Sequence, residues 1–178
     1  MALSETLAGM LLLMGVSGPS IDIPKTMTNN NIISAETQCL AMNMYHEARD
    51  QGTAGLIAVS AVVLNRVNDK RFPNTVCGVV MQGPTRPSWK DPTTSYPIKN
   101  RCQFSWYCDG ASDDPKDSES FKKALDLSNL MMHNKIKFID ITDGALFYHA
   151  DYVTPSWAKT KQKTVEIQDH IFYRWDKK

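Results

Sequence analysis

Between Gly55 and Leu64 the chain reads Gly-Leu-Ile-Ala-Val-Ser-Ala-Val-Val-Leu, which at helical spacing is apolar on nearly every side. A helix of that kind has no face to offer solvent and belongs in the middle of a core. Its β-branched residues would suit a strand, but its length and alanine content predict a helix from about Ala54 to Asn68. The rest of the domain must wrap around it. A chain of 178 residues supplies about one domain for this purpose. Twenty Lys and Arg against nineteen Asp and Glu leave a net charge of +1, so there is no general attraction for nucleic acid or an anionic membrane surface. No apolar run reaches the roughly 18 residues that a transmembrane helix needs, so no stable membrane span is expected.

Before this helix, Ser34 is a plausible N-cap and Glu36 is acidic in the first turn, which predicts a helix ending near Asp50, where Gln51-Gly52-Thr53 breaks it. From Phe72 to Pro115 the sequence is dense in Pro, Gly, Asp and aromatics and weakly periodic, as expected of a long site-bearing loop. A further helix is expected from Lys116 to Asn134, burying Phe121, Ala124, Leu125 and Leu130. The period then shortens, and Ile136–Ile141, Ala145–His149 and Thr164–Tyr173 read as short strands. Helices first and strands afterwards indicate an α+β domain with a helical core and a small β part.

Residues 1–34 are expected to lie outside this domain, which would occupy 35–178. Leu7–Val16 is an apolar run of signal-peptide length, yet no Lys or Arg precedes it, so an export signal and a docking segment for a partner protein are both open. Residues 19–34 read as a linker. The four cysteines, Cys39, Cys77, Cys102 and Cys108, contain no Cys-x-x-Cys pair, which argues against a zinc ribbon or a thioredoxin-type site. Two disulfides, with any of three pairings, are expected ahead of four buried thiols.

Glu47 is the residue that most invites a chemical role. It follows Leu40 by seven positions and Met44 by three, close to the same helical face. A carboxyl beside an apolar stripe is costly unless paired or facing a cleft, and burial raises its pKa toward that of a proton donor. On pattern alone the plainer account is an ion pair with Arg49 or a distant lysine. His46-Glu47 begins a His-Glu-x-x-His motif, but Asp50 stands where the second His belongs, and His133, His149 and His170 add no ligand-spaced pair. No metal or cofactor is expected. Gly-x-Ser-x-Gly and a phosphate-binding glycine loop are both missing.

Five blocks in order carry a resemblance: Leu40–Arg49 (Leu-Ala-Met-Asn-Met-Tyr-His-Glu-Ala-Arg), Ala58–Val67, Phe72–Val80, Cys102–Trp106 (Cys-Gln-Phe-Ser-Trp) and Gly144–His149. Together they resemble the spore-cortex-lytic-enzyme type of cell wall hydrolase, from about Glu36 to Trp175. The resemblance implies a lysozyme-like fold and cleavage of peptidoglycan glycan strands between N-acetylmuramic acid and N-acetylglucosamine, in lytic transglycosylases leaving a 1,6-anhydro end. It reverses the account of Glu47, which falls on the family's catalytic acid. Gln103, Ser105 and Tyr148 match family blocks and are assigned to substrate positioning, while His149 and Trp106 are further candidates for contact with the sugar. Gln103 and Ser105 could as well cap turns, Tyr148 could be a core aromatic, and Trp106 and Trp157 could simply pack.

An internal attack by the muramic C6 hydroxyl needs one carboxyl group, whereas hydrolysis wants a second, for which Asp50, Asp109, Asp113 and Asp114 are the candidates. The cysteine pattern and the polar Lys90–Asn100 segment look more like Gram-negative or phage members than spore enzymes. The expected setting is therefore the periplasm or the outside of the cell, with delivery by a phage to a host wall as one form of it. The rival expectation is a non-catalytic virion component that holds glycan or docks other virion proteins through residues 1–24. The basic run Lys159–Lys163 would attract anionic wall polymers or form a solvated edge strand.

Overall fold

The computed structural model describes residues 33–133 and 139–175. Helix α1, Ala35–Ala48, starts where Ser34 accepts the Thr37 N–H at 3.1 Å, supplying one of the donors a helix start leaves unpaired. Gly52 at φ +62° makes the turn into α2, Gly52–Val67, two residues ahead of the expected start. Leu56, Ala58, Val59, Ala61, Val62 and Val63 of α2 are at most 2% exposed, so the apolar helix is central as its sequence requires. Each such Val or Leu contributes about 1.5–3 kcal/mol through burial.

The expected Phe72–Pro115 loop is more structured than its composition suggests. It contains α3 (Val76–Val80), an antiparallel hairpin of β1 (Thr85–Pro87) and β2 (Ser95–Pro97), and a 3-10 turn at Ser105–Cys108. Five residues rich in valine carry little helical signal. Here the helix is imposed from outside: the Thr75 hydroxyl accepts the Gly78 N–H, and the Glu36 carboxylate of α1 accepts the Val76 N–H at 2.5 Å. Disulfides join Cys39 to Cys77, tying α1 to α3, and Cys102 to Cys108, closing the 3-10 turn.

Helix α4, Ser118–Met132, packs along α1 after an Asp117 cap whose carboxylate accepts the Glu119 and Ser120 N–H groups. Its buried side is Ala124, Ser128 and Met131, with Phe121 and Leu125 partly buried against the core. Leu130 was expected there, but the 124, 128, 131 spacing turns it off the stripe. Ser128 is accepted in the core because its hydroxyl meets the Met44 sulfur at 3.4 Å.

The expected strand at Ile136–Ile141 lies partly outside the described residues. Residues 139–141 form no strand, and Ile139 is exposed. Instead Asp140 organises a turn, accepting the Asn65 side chain, the Thr142 N–H and hydroxyl, and the Gly144 N–H at 2.6–2.9 Å. That turn launches β3, Phe147–Ala150, which joins β4 (Gln162–Ile167) and β5 (His170–Arg174) in an antiparallel sheet of order β3-β5-β4. The β4–β5 turn is held by Gln51, whose amide both donates to the Asp169 carboxylate and accepts the Asp169 N–H. Phe172 and Ala145 pack on Ala58 and Val62, so the sheet leans on α2. Among the described residues no helix is long and apolar enough to cross a membrane.

Candidate active site

Glu47 occupies the last turn of α1, with Ala48 behind it fully in the core and Arg49 and Asp50 exposed. The helix ends here because Gln51 turns back, its N–H bonding the Ala48 carbonyl at 2.9 Å. Glu47 does not pair with Arg49, which lies near Asp50 at 3.6 Å. Its partner is Tyr148 of β3, whose hydroxyl donates to Glu47 Oε2 at 2.8 Å. Burial pushes the Glu47 carboxyl above its ordinary value, and the Tyr148 hydrogen bond and the Arg66 cation pull back against that. Burial also raises the Tyr148 phenol well above its ordinary range, reinforced by the Glu47 charge, so the phenol remains a donor.

One turn before Glu47, the buried Asn43 accepts the Trp106 indole N–H at 3.2 Å. His46 stacks on the Trp106 ring at 4.5 Å between centroids and 13° between planes. The His46 Nε2–H donates to the Asp113 carbonyl at 3.0 Å. Trp106 therefore packs on the same helix as Glu47, with one ring face used by His46. The 3-10 turn carrying Trp106 is fixed by the Cys102–Cys108 disulfide and by the Gln103 N–H, which donates to the Gln82 carbonyl at 2.8 Å.

Gln103 and Ser105 flank the buried Phe104 and are both exposed. Among the described residues neither side chain is held by a hydrogen bond, so neither caps the turn and both are free to meet a ligand. His149 departs from expectation. Successive strand residues point to opposite faces, and His149 leaves the face on which Tyr148 meets Glu47. It stacks on Tyr173 at 5.2 Å, accepts the Tyr173 hydroxyl at Nε2 and packs on Trp157. His149 and Trp157 thus belong to an outer aromatic cluster with Phe147 and Trp175, away from the acid.

Of the carboxylates considered as a second acid, Asp50 is exposed beside Arg49, and Asp109 and Asp114 are engaged by the loop's own Ala111 N–H and Ser112. Asp113 is raised by partial burial, lowered by His46 and raised again by Asp109 and Asp114. Among the described residues no three His, Cys, Asp or Glu side chains come together as a metal site.

Sequence reasoning missed Arg66. Its Nε donates to the Leu146 carbonyl at 2.8 Å, and its guanidinium is buried among Phe72, Phe104 and Phe147. The available signal was its isolation, as the only charged residue in the otherwise apolar α2.

The family described as Cell Wall Hydrolase matches residues 50–173, a span that opens just past Glu47. The spore cortex-lytic enzyme of Oceanobacillus iheyensis is 28% identical over 155 residues, covering 86% of this chain and 45% of that protein. That of Bacillus cereus is 29% identical over 152 residues, covering 85% and 47%. The chain spans about half the length of the curated relatives it matches. Among solved structures, the catalytic domain of the germination-specific lytic transglycosylase SleB from Bacillus anthracis is similar with a TM-score of 0.55 at 28% identity, over 85% of this chain and 100% of that domain. The Bacillus cereus SleB catalytic domain gives 0.53 at 28% identity, over 89% and 100%. The fold is the α+β, lysozyme-like arrangement of those domains, with its helices around α2 and a small sheet on one side.

Proposed function

The chain belongs to the cell wall hydrolase family, and from that premise we propose that it cleaves the glycan strands of peptidoglycan as a lytic transglycosylase with Glu47 as its acid and base. The observation that carries this is the Glu47–Tyr148 pair: a partly buried carboxyl, raised by burial, oriented by a neutral phenol and, among the described residues, in contact with no second carboxylate. Protonated Glu47 gives its proton to the glycosidic oxygen as the bond to C1 of the muramic residue breaks. The C6 hydroxyl of the same sugar then attacks C1, and the Glu47 carboxylate takes the proton that the hydroxyl loses. An internal nucleophile of high effective molarity replaces water, so no second carboxylate is required.

Tyr148 orients Glu47 in this scheme. Gln103 and Ser105, exposed and unengaged, supply polar contacts to the sugar, and Trp106, on the same turn, borders it. We place the enzyme's work outside the cytoplasmic membrane, at the wall of a Gram-negative host reached by a phage. The two disulfides and the Lys90–Asn100 segment, which builds most of the β1–β2 hairpin tip, support that setting.

Mass spectrometry of fragments released from purified Gram-negative peptidoglycan tests the chemistry. The expected products end in anhydro-muramic acid and vanish with Glu47→Gln. Reducing ends carrying one added water would overturn transglycosylation and direct attention to Asp113, beside His46. Intact strands would overturn the enzyme reading in favour of a glycan-holding or assembly protein. Residues 1–24, its expected docking segment, lie outside the described residues, and their deletion would then abolish particle assembly.

A further inference from the structure

Arg66 is 5% exposed and has no carboxylate within ion-pair distance among the described residues. Its guanidinium carbon lies 5.3, 5.5 and 5.9 Å from the centroids of Phe72, Phe104 and Phe147. Nε is spent on the Leu146 carbonyl, while the buried Nη1 finds no acceptor among the described residues. Taking a guanidinium out of water is costly without a counter-ion, and three aromatic faces return only part of that cost. A neutral donor would suffice to bond Leu146, so the charge itself calls for an explanation.

The explanation is what lies beyond Leu146. Two residues along, β3 presents Tyr148 to Glu47. Arg66 thus clamps the root of the strand whose phenol holds the carboxyl, and its cation acts on both groups. We propose that Arg66 is a positioning residue of the Glu47 site: its caged cation fixes β3 and Tyr148 against Glu47 and stabilises the carboxylate that Glu47 becomes once its proton is given away. The proposal rests on Glu47 being the acid of glycan cleavage. In that reaction the same carboxyl must lose a proton and then regain one, so neither form can be favoured too strongly. Burial at a helix end favours the neutral form, and a fixed cation in a water-poor surround opposes it.

The groups facing Glu47 are few. Tyr148 comes from β3 and Arg66 from α2, and His170 of β5 packs edge-on against the Tyr148 ring at 5.1 Å between centroids. On α1, His46 is turned to Trp106 and Asp113, and Arg49 to Asp50 and the Tyr45 ring. Helix α3 carries only the disulfide-bonded Cys77, and Glu119, Lys122, Lys123 and Asp126 of α4 are exposed.

The test uses the full chain with Arg66→Gln, which keeps a donor for Leu146 but no charge, and Arg66→Lys, which keeps the charge. Arg66→Met, whose thioether suits an aromatic cage, is a second neutral variant should Arg66→Gln not fold. Carbon-13 NMR follows the Glu47 carboxyl through a pH titration, assigned with Glu47→Gln, and the pH–rate profile on peptidoglycan sacculi is recorded beside it. In the neutral variants the Glu47 midpoint and the alkaline limb of the rate profile move together to higher pH, and Arg66→Lys stays near the parent. A midpoint unmoved in a folded neutral variant, or moved as far by Lys as by Gln, would overturn the proposal and leave Arg66 a structural clamp. If the parent cuts no glycan while its midpoint still responds to Arg66, the electrostatic role stands and the glycan-cleaving reading falls.

Discussion

The Tyr148 hydroxyl donates to Oε2 of Glu47 at 2.8 Å, joining the first strand of the sheet to the last turn of α1. This bond favours the carboxylate and so holds the carboxyl below where burial alone would leave it. Tyr148→Phe therefore keeps Glu47 protonated to higher pH. On the proposed mechanism the acid is protonated in the free enzyme, so kcat/KM is lost as pH rises through its midpoint, and the variant's alkaline limb moves upward. A hydrogen bond to a charged group is worth about 1.5 kcal/mol, so the rate at the optimum falls about tenfold. A pH–rate series on solubilised glycan checks both.

With Glu47 as the proposed general acid, Glu47→Gln lowers the rate by about 10²–10⁴-fold. The same change stabilises the fold at neutral pH. With its folded pKa raised, Glu47 costs stability when ionised in both states, and that cost vanishes below the ordinary carboxyl value, where both states are protonated. The variant's gain in Tm is thus present above the ordinary carboxyl value and nearly absent at acid pH below it. Thermal melts on either side of that value read it directly.

The Cys39–Cys77 bond closes a loop of separation 38 and ties the start of α1 to α3. Its loss typically costs about 2–5 kcal/mol. Cys39→Ser with Cys77→Ser lowers Tm by about 2–4 °C for each kcal/mol lost. Reducing agent lowers the Tm of the parent and leaves that of a variant lacking all four cysteines unchanged, as differential scanning calorimetry will record.

Asp140→Ala strands the Thr142 and Gly144 N–H groups and the Asn65 amide. Unpaired groups of this kind cost about 1–3 kcal/mol, and activity falls further than stability because the turn launches the strand bearing Tyr148. Burial raises the Asp140 carboxyl, but hydrogen bonds from Thr142 and Asn65 outweigh it and hold the group below its ordinary value. Its contribution is therefore present above the ordinary Asp pKa and lost as pH falls through the lower folded value. Denaturant melts of parent and variant converge at acid pH.

Periodicity made α1 and α4 readable because each buries a stripe long enough to repeat, whereas α2 was readable from the length and alanine content of an apolar run with no stripe. Ser34 and Gly52 marked a start and a break by their own local chemistry. Helix α3 was hidden because its helicity comes from Thr75 and from Glu36, forty residues away in sequence from its Val76 partner. Within the described part of the expected Ile136–Ile141 strand, residues 139–141 form no strand, because an apolar alternation says nothing of whether a partner strand is at hand. At the site, the blocks carrying Glu47 and Tyr148 were legible in the sequence, and the structure joins the two side chains in a hydrogen bond. A strand sends neighbours to opposite faces, so His149 sits with Tyr173 and Trp157 rather than beside Tyr148's partner, and Arg66 was overlooked because a charge at the end of an apolar helix looks like a terminus, not a core.

The two halves of the Glu47–Tyr148 pair stand 101 residues apart. A nascent chain that has presented only α1 and α2 carries the carboxyl without the phenol, without the Leu146 anchor for Arg66 and without the sheet that shelters them. The site therefore comes into being late in synthesis and all at once. On the proposed reading of Glu47, unfinished chains carry no partial activity, and a proteolytic nick that frees β3 removes the partner of the carboxyl without touching the carboxyl itself.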